Sequence, residues 1–376
     1  MRRAAAAALL LAACAWLPSA GAQPREPAPK AGGTLRAVFS ADPPTLDPAH
    51  ATDLTSSAVV RQVFDGLLEL DERLQPVGAL ARTWTVSSDQ RTYTFALRPG
   101  VRFHSGREVR AADVKYSFER AAKGKRPWVF EKLTGAPAFI RGAAREIAGV
   151  RVVDDRTVEL RLDRPFAPFL SLVAYDAASV VPREDAEKPG FASHPVGTGA
   201  FRFASWRRDD QVVLERFPGH FRGPAHLERV VFRVIPAEAT RFNEYVAGQL
   251  DYTDIPTGRC RAVQADPRLA REVAIWPTLG THAVRFNVER APFSDARVRR
   301  AVAHAVDPTI VVDRLLEGCV TAARGILPPA LPGYSAEVRR LPFDREAARR
   351  LLAEAGFPGG KGLPPLAFNF NTSDAN

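Results

Sequence analysis

Along nearly the whole chain, short runs with apolar residues at every second position alternate with longer runs in which they recur every three or four. The first pattern buries one face as a β-strand and the second buries one face as an α-helix, so their interleaving commits the chain to an α/β fold. Leu35, Ala37 and Phe39 predict a strand over 34–40, closed by Asp42-Pro43-Pro44. Thr52 or Asp53 can cap a helix running to about Leu70, with Val59, Val60, Val63, Phe64, Leu67 and Leu68 on one face. Hairpins follow over 84–97, turning at 87–91, and over 150–162, turning on Asp154-Asp155, with a helix over 111–122 between them. Further strands are expected at 200–206, 211–216, 230–235, 251–255, 273–277, 283–287 and 366–371, and helices at 238–248, 295–306, 308–318 and 344–356. No internal repeat interrupts this order.

At 376 residues, 46% of them hydrophobic and 25% charged, the chain has material for two or three domains with a sizeable core. No apolar run after residue 22 approaches the ~20 residues that cross a bilayer. The formal charge is +10, two units of it from Arg2 and Arg3. Lys and Arg are dispersed and no DNA- or RNA-binding motif accompanies them, so they read as a solvated basic surface and not as a nucleic-acid interface.

The first 22 residues read as an export signal: Arg2 and Arg3, an apolar stretch from Ala4 to Leu17, a break at Pro18, and Ala20-Gly21-Ala22 before Gln23. Leu11-Ala12-Ala13-Cys14 offers a competing reading, a lipoprotein box with Cys14 as the lipidated first residue. The expected location is therefore periplasmic, or lipid-anchored outside the inner membrane. Residues 23–32, rich in proline and glycine, form a flexible lead-in. Cys260 and Cys319 remain after processing; a disulfide and two buried thiols are both open readings.

Enzyme signatures are missing. The sequence has no G-x-S-x-G elbow, no H-E-x-x-H and no Walker A loop. Gly197-Thr198-Gly199 lacks the third glycine of a dinucleotide loop and runs into a strand pattern. His220 and His226 flank a Gly-Pro turn with weak metal spacing, and Asp154-Asp155 fits a hairpin turn better than paired catalytic carboxylates. The expectation is a non-enzyme with no catalytic residue, no metal and no cofactor.

A set of segments in fixed order stands out: Gly33-Thr34-Leu35, Thr45-Leu46-Asp47-Pro48, Val63-Phe64-Asp65-Gly66-Leu67-Leu68, Tyr93 to Arg98, and Val101-Arg102-Phe103-His104-Ser105-Gly106. Ala112-Asp113-Val114, Tyr116-Ser117-Phe118, Val196-Gly197-Thr198-Gly199-Ala200-Phe201 with Trp206, and Val213 to Arg216 continue it. Phe286-Asn287, Ala291 to Ala301 and Leu351 to Gly356 complete it. This string resembles the extracellular solute-binding proteins that include the periplasmic oligopeptide- and dipeptide-binding proteins of ABC-type importers, over about residues 33–376.

The resemblance implies a two-lobed, periplasmic-binding-protein-like architecture that closes on ligand, with an extra subdomain in the first lobe. Residues 33–63 and 191–279 would form the first lobe, 64–190 the extra subdomain, and 280–376 the start of a second lobe that is incomplete, since family members are normally much longer. It implies capture of short peptides by a monomer that delivers them to an inner-membrane ABC permease. Relatives bind nickel chelates, haem, glutathione or sugars, so another small solute is the alternative, an exported hydrolase is disfavoured, and a non-binding or chaperone-like remnant is a third reading. In the family the segment after Leu46-Asp47-Pro48 offers backbone groups to an extended peptide, which places Thr52, Asp53 and Leu54 at the cleft. Asp53 reads equally as a helix cap. Asn371 and Asp374 match a cleft-lining stretch, with a turn as the other reading, and Thr281 and His282 lie near the lobe crossover. Trp206 is expected in the core.

Overall fold

The computed structural model describes residues 30–276, 279–329, 331 and 333–369. The leader with Cys14 and Gln23, and Asn371 and Asp374, lie outside the described residues. Strand β1 (Thr34–Phe39) leads through a pinned loop into helix α1 (Leu54–Val63). A short ladder of β2 (Leu68–Leu70) and β3 (Pro76–Gly78) precedes the hairpin of β4 (Ala81–Val86) and β5 (Thr92–Leu97). Then come α2 (Ala111–Ala122), α3 (Ala136–Ile140), the hairpin of β6 (Val150–Asp154) and β7 (Thr157–Arg161), and the short helices α4 (Phe169–Val173) and α5 (Arg183–Ala186). Strands β8 (Phe201–Arg207), β9 (Gln211–Arg216) and β10 (Arg229–Val234) follow, with α6 (Glu238–Val246), α7 (Cys260–Ala265), α8 (Ala296–Ala305) and α9 (Arg345–Glu354).

Two four-stranded sheets organise these elements. The first has order β1-β10-β9-β8, with β1 parallel to β10 and the other pairs antiparallel. The second is antiparallel, with order β4-β5-β7-β6. Each sheet covers its own core. Ala37, Phe39, Leu46, Val59, Val60, Val63, Phe64, Val212 and Leu214 pack on the first. Phe95, Phe103, Phe118, Phe130, Leu133, Val158 and Leu160 pack on the second, with α2 laid across it.

The helix expected to reach Leu70 stops at Val63, because its apolar residues serve both cores. Val59, Val60, Val63 and Phe64 enter the first, whereas Leu67 and Leu68 enter the second. A straight helix cannot point one face at two cores, and Phe64 takes an extended conformation (φ −126°, ψ 154°) that turns the chain. The hairpins over 84–97 and 150–162, the helix over 111–122 and the strands near 201, 211 and 229 form as expected. Cys260 and Cys319 form a disulfide, their Cα atoms 6.4 Å apart, which resolves the two open readings.

Two corrections concern the later part of the chain. The described residues of the segments 251–255, 273–277, 283–287 and 366–371, expected as strands, have no strand conformation. A strand needs a neighbour for its N–H and C=O groups, and among the described residues these segments have none in ladder register. Several of their apolar side chains stay exposed, Ile275 at 71%, Val284 at 59% and Phe368 at 68%, while Ile255 and Val273 pack against Phe242, Val263 and Leu269. The helix expected at 308–318 is a short π-helical turn, Ile310–Leu315, with no buried residue. The helices α8 and α9 do form: they are capped by Asp295 and Asp344, pack on each other through Val298, Ala301, Ala347 and Ala348, and are tied by Arg297 Nη1 donating to the Glu354 carbonyl at 2.6 Å.

Candidate functional site

The loop from β1 to α1 is fastened before it reaches Thr52. Asp42 at its start accepts from Trp206 Nε1 at 2.9 Å and from Arg208 Nη1 at 3.1 Å, and Arg208 lies over the Trp206 ring, 3.4 Å from its centroid. Trp206 therefore holds the loop as well as lining the core. The Leu46 N–H donates to the Ala192 carbonyl at 2.8 Å, and its side chain is fully buried.

Asp47 is the hub of the next turn. Its carboxylate takes both terminal nitrogens of Arg120, at 2.7 and 2.5 Å, with the Ala49 N–H at 3.0 Å and the His50 ring at 3.1 Å. Its carbonyl accepts from the His50 and Ala51 N–H groups. Burial alone pushes this carboxyl up, but the Arg120 guanidinium, the His50 ring and the Ala49 N–H outweigh it and hold the group below the usual carboxylate range. Asp47 thus carries structure.

Of the three residues expected at the cleft, Asp53 takes its blander reading in full. It is the N-cap of α1, its Oδ1 accepting from the Ser56 N–H at 2.8 Å and from Thr55 Oγ1 at 2.7 Å. Partial burial raises its carboxyl, but these donors outweigh that and hold it below its ordinary value. Thr52 and Leu54 are exposed, Leu54 at 87%. Among the described residues their N–H groups find no acceptor. A buried, rigid turn therefore presents a short stretch of free backbone donors and one bare leucine.

Thr281 and His282 are not brought to that stretch by any hydrogen bond or ion pair. Thr281 Oγ1 donates to the Ile326 carbonyl at 3.0 Å, and His282 is exposed.

Several segments picked out for their order meet at the joint between the two cores. A Cβ added at Gly197 would run into the Val63 carbonyl, and one at Gly199 into the Gln62 carbonyl, so only glycine allows the chain to pass this close to the end of α1. His104 bridges the two glycines: the Gly197 N–H donates to Nδ1 at 3.3 Å, and Nε2 donates to the Gly199 carbonyl at 3.0 Å. An N–H can only donate and a carbonyl can only accept, so this ring must be neutral. Burial, which outweighs the Gly199 bond, lowers its pKa to about 4, with Arg202 and His220 adding to the effect. Thr198 Oγ1 donates to Asp65 at 2.7 Å. Burial raises the Asp65 carboxyl against that bond. These segments form the seam between the two cores. Among the described residues, no cluster of three or more His, Cys, Asp or Glu has metal-binding geometry.

Sequence reasoning missed two features. Arg120 sits in a helix with an ordinary amphipathic pattern, and nothing local marks it as the partner of Asp47, 73 residues earlier. Trp128, 46% exposed, leans on Tyr175 with ring centroids 5.4 Å apart, and Arg126 covers Tyr175 while pairing with Asp176 at 2.9 Å. The chain just before Trp128 is tied to the Asp47 turn, since the Lys125 N–H donates to the Ala49 carbonyl at 2.9 Å. An exposed Trp at a Pro-Trp dipeptide was the available signal.

The family model described as "Bacterial extracellular solute-binding proteins, family 5 Middle" matches residues 75–376. Heme-binding protein A of Haemophilus influenzae is 32% identical over 95% of this chain and 68% of its own length. The glutathione-binding protein GsiB of Salmonella typhi is 31% identical over 84% of this chain and 60% of its own length. Among solved structures, Helicobacter pylori DppA in complex with the peptide STSA superposes with a TM-score of 0.75 at 26% identity, covering 88% of this chain and 67% of that one. The Escherichia coli murein tripeptide binding protein MppA gives 0.78 at 27% identity with the same coverage. The chain thus spans roughly two thirds of the length of the proteins it matches.

Proposed function

Because this chain belongs to the bacterial extracellular solute-binding proteins of family 5, we propose that it captures a short peptide outside the inner membrane for an ABC-type importer. The observation that carries the peptide reading is the exposed backbone at Thr52 and Leu54, held rigid by the Asp47 and Asp53 networks. Main-chain donors suit a ligand whose own main chain is constant and whose side chains vary. The half-exposed aromatic pair Trp128 and Tyr175 would supply a surface for an apolar side chain. In this reading 33–63 and 191–279 form the first lobe, 64–190 is the subdomain that carries the aromatic pair, and 280–376 begins the second lobe, which contributes Thr281, His282, Asn371 and Asp374. The protein works as a monomer, without catalysis, in the periplasm or anchored there through Cys14.

A second reading is favoured by the curated relatives, two of which are named for haem and glutathione. Glutathione is itself a tripeptide and would use the same donors, whereas haem would not. Calorimetric titration with tri-alanine, glutathione and haemin separates these readings. Saturable binding of tri-alanine or glutathione is expected, and saturation by haemin alone would overturn the peptide proposal.

A further inference from the structure

The Asp47 turn leads straight into the exposed donors, yet what holds it comes from the other core. Three contacts arrive from the C-terminal end of α2 and the residues after it. Arg120 grips the Asp47 carboxylate with both terminal nitrogens, its guanidinium 5.4 Å from the centroid of the Phe191 ring. Gly124 lies so close to the Ala49 carbonyl that a Cβ there would strike it. The Lys125 N–H completes the set by donating to that same carbonyl at 2.9 Å. The carboxylate has only 5% of its side chain exposed, and the guanidinium 19%. A charge pair this dry holds one geometry, and removing one partner leaves the other buried and uncompensated.

We infer that Arg120 is a positioning residue for ligand capture, through which the inserted unit sets the geometry of the ligand-facing backbone from Thr52 to Leu54. This rests on the reading of that backbone as the ligand edge. It gives the second sheet and its helix α2 a task in binding: Asp47 is the only acidic side chain that Arg120 reaches among the described residues, and the link runs from one core to the other. Arg120 touches no ligand in this scheme. Its effect passes through Asp47 and the turn 47–51 to the first residues of α1.

The test is hydrogen exchange on the full 376-residue chain, read by mass spectrometry on peptides spanning 46–57, with β5 and β7 as the internal reference. Arg120→Met should raise exchange of the Ala49, His50 and Ala51 amides at least tenfold while β5 and β7 stay unchanged. Arg120→Lys, which keeps the charge but not the paired nitrogens, should fall between. In tri-alanine titrations Arg120→Met should lose five- to tenfold in affinity, and Arg120→Lys should recover part of it. Exchange rising equally in β5 and β7 would reduce Arg120 to a general stabiliser and overturn the proposal, as would unchanged exchange at 49–51. Leu54→Pro separates the two ideas: if it binds tri-alanine as tightly as wild type, the ligand-edge reading falls while the exchange result stands.

Discussion

The stretch from residue 30 to about 250 and the stretch from about 270 to 369 draw on the same kinds of apolar residue and end in different states. In the first, phenylalanines, leucines and valines fill two cores, and Phe95, Phe103, Phe118 and Phe130 are almost wholly enclosed. In the second, Trp276 is 59% exposed and Ile326 85%, and among the described residues past 280 those buried, apart from Pro292, are Val298, Ala301, Ala347 and Ala348. An apolar residue becomes core only when a second layer is there to receive it, and among the described residues the later stretch has one helix pair where the earlier has two sheets with helices on them.

The largest effect expected from this contrast comes from equal truncations on either side of it. Phe95→Ala should cost about 3–5 kcal/mol in denaturant unfolding, whereas Ile326→Ala should stay within about 0.5 kcal/mol. A cost above about 1.5 kcal/mol for Ile326→Ala would show that the later stretch has a packed layer after all.

A covalent and polar tie sharpens the comparison. The Cys260–Cys319 disulfide joins α7 to the segment after the π-helical turn, helped by the Arg261 N–H donating to Glu317 at 2.8 Å. With so little burial on its Cys319 side, this link should carry most of the local order of the segment after the π-helical turn. Cys319→Ser is expected to weaken that order by about 2–4 kcal/mol. Tryptic cleavage after residues 314–350 should accelerate, while peptides from β4 to β7 stay intact. Equal loss in both stretches would mean that they unfold as one unit.

The smallest effect concerns the seam. His104 has a pKa of about 4 in the fold against 6.5 ordinarily. Between these values the unfolded chain binds the proton and the folded chain does not, so stability falls as pH drops through the window and is complete above 6.5. The loss should reach about 2 kcal/mol by pH 5. His104→Gln should flatten that slope between pH 6.5 and 5 and leave proteolysis of the later stretch untouched. A slope that persists in the variant would assign the acid sensitivity to a group other than His104.

Period-two and period-3.6 patterns were enough to read both hairpins, helix α2 and the four strands of the first sheet, because each buries one face and its pattern is local. Family membership was legible for a related reason: several of the ordered segments lock the two cores together, and Gly197, Gly199, His104 and Asp65 meet at one seam. Tertiary structure alone decided where α1 stops, since no local pattern says that Val63 and Leu67 belong to different cores. It alone paired Asp47 with Arg120, whose attraction depends on a separation in space that the sequence does not encode. It also made Asp53 the cap of α1, and decided against strand conformation in the described parts of 273–277, 283–287 and 366–371. Alternation in a sequence shows that a segment can be a strand, but a hydrogen-bonded neighbour is what makes it one.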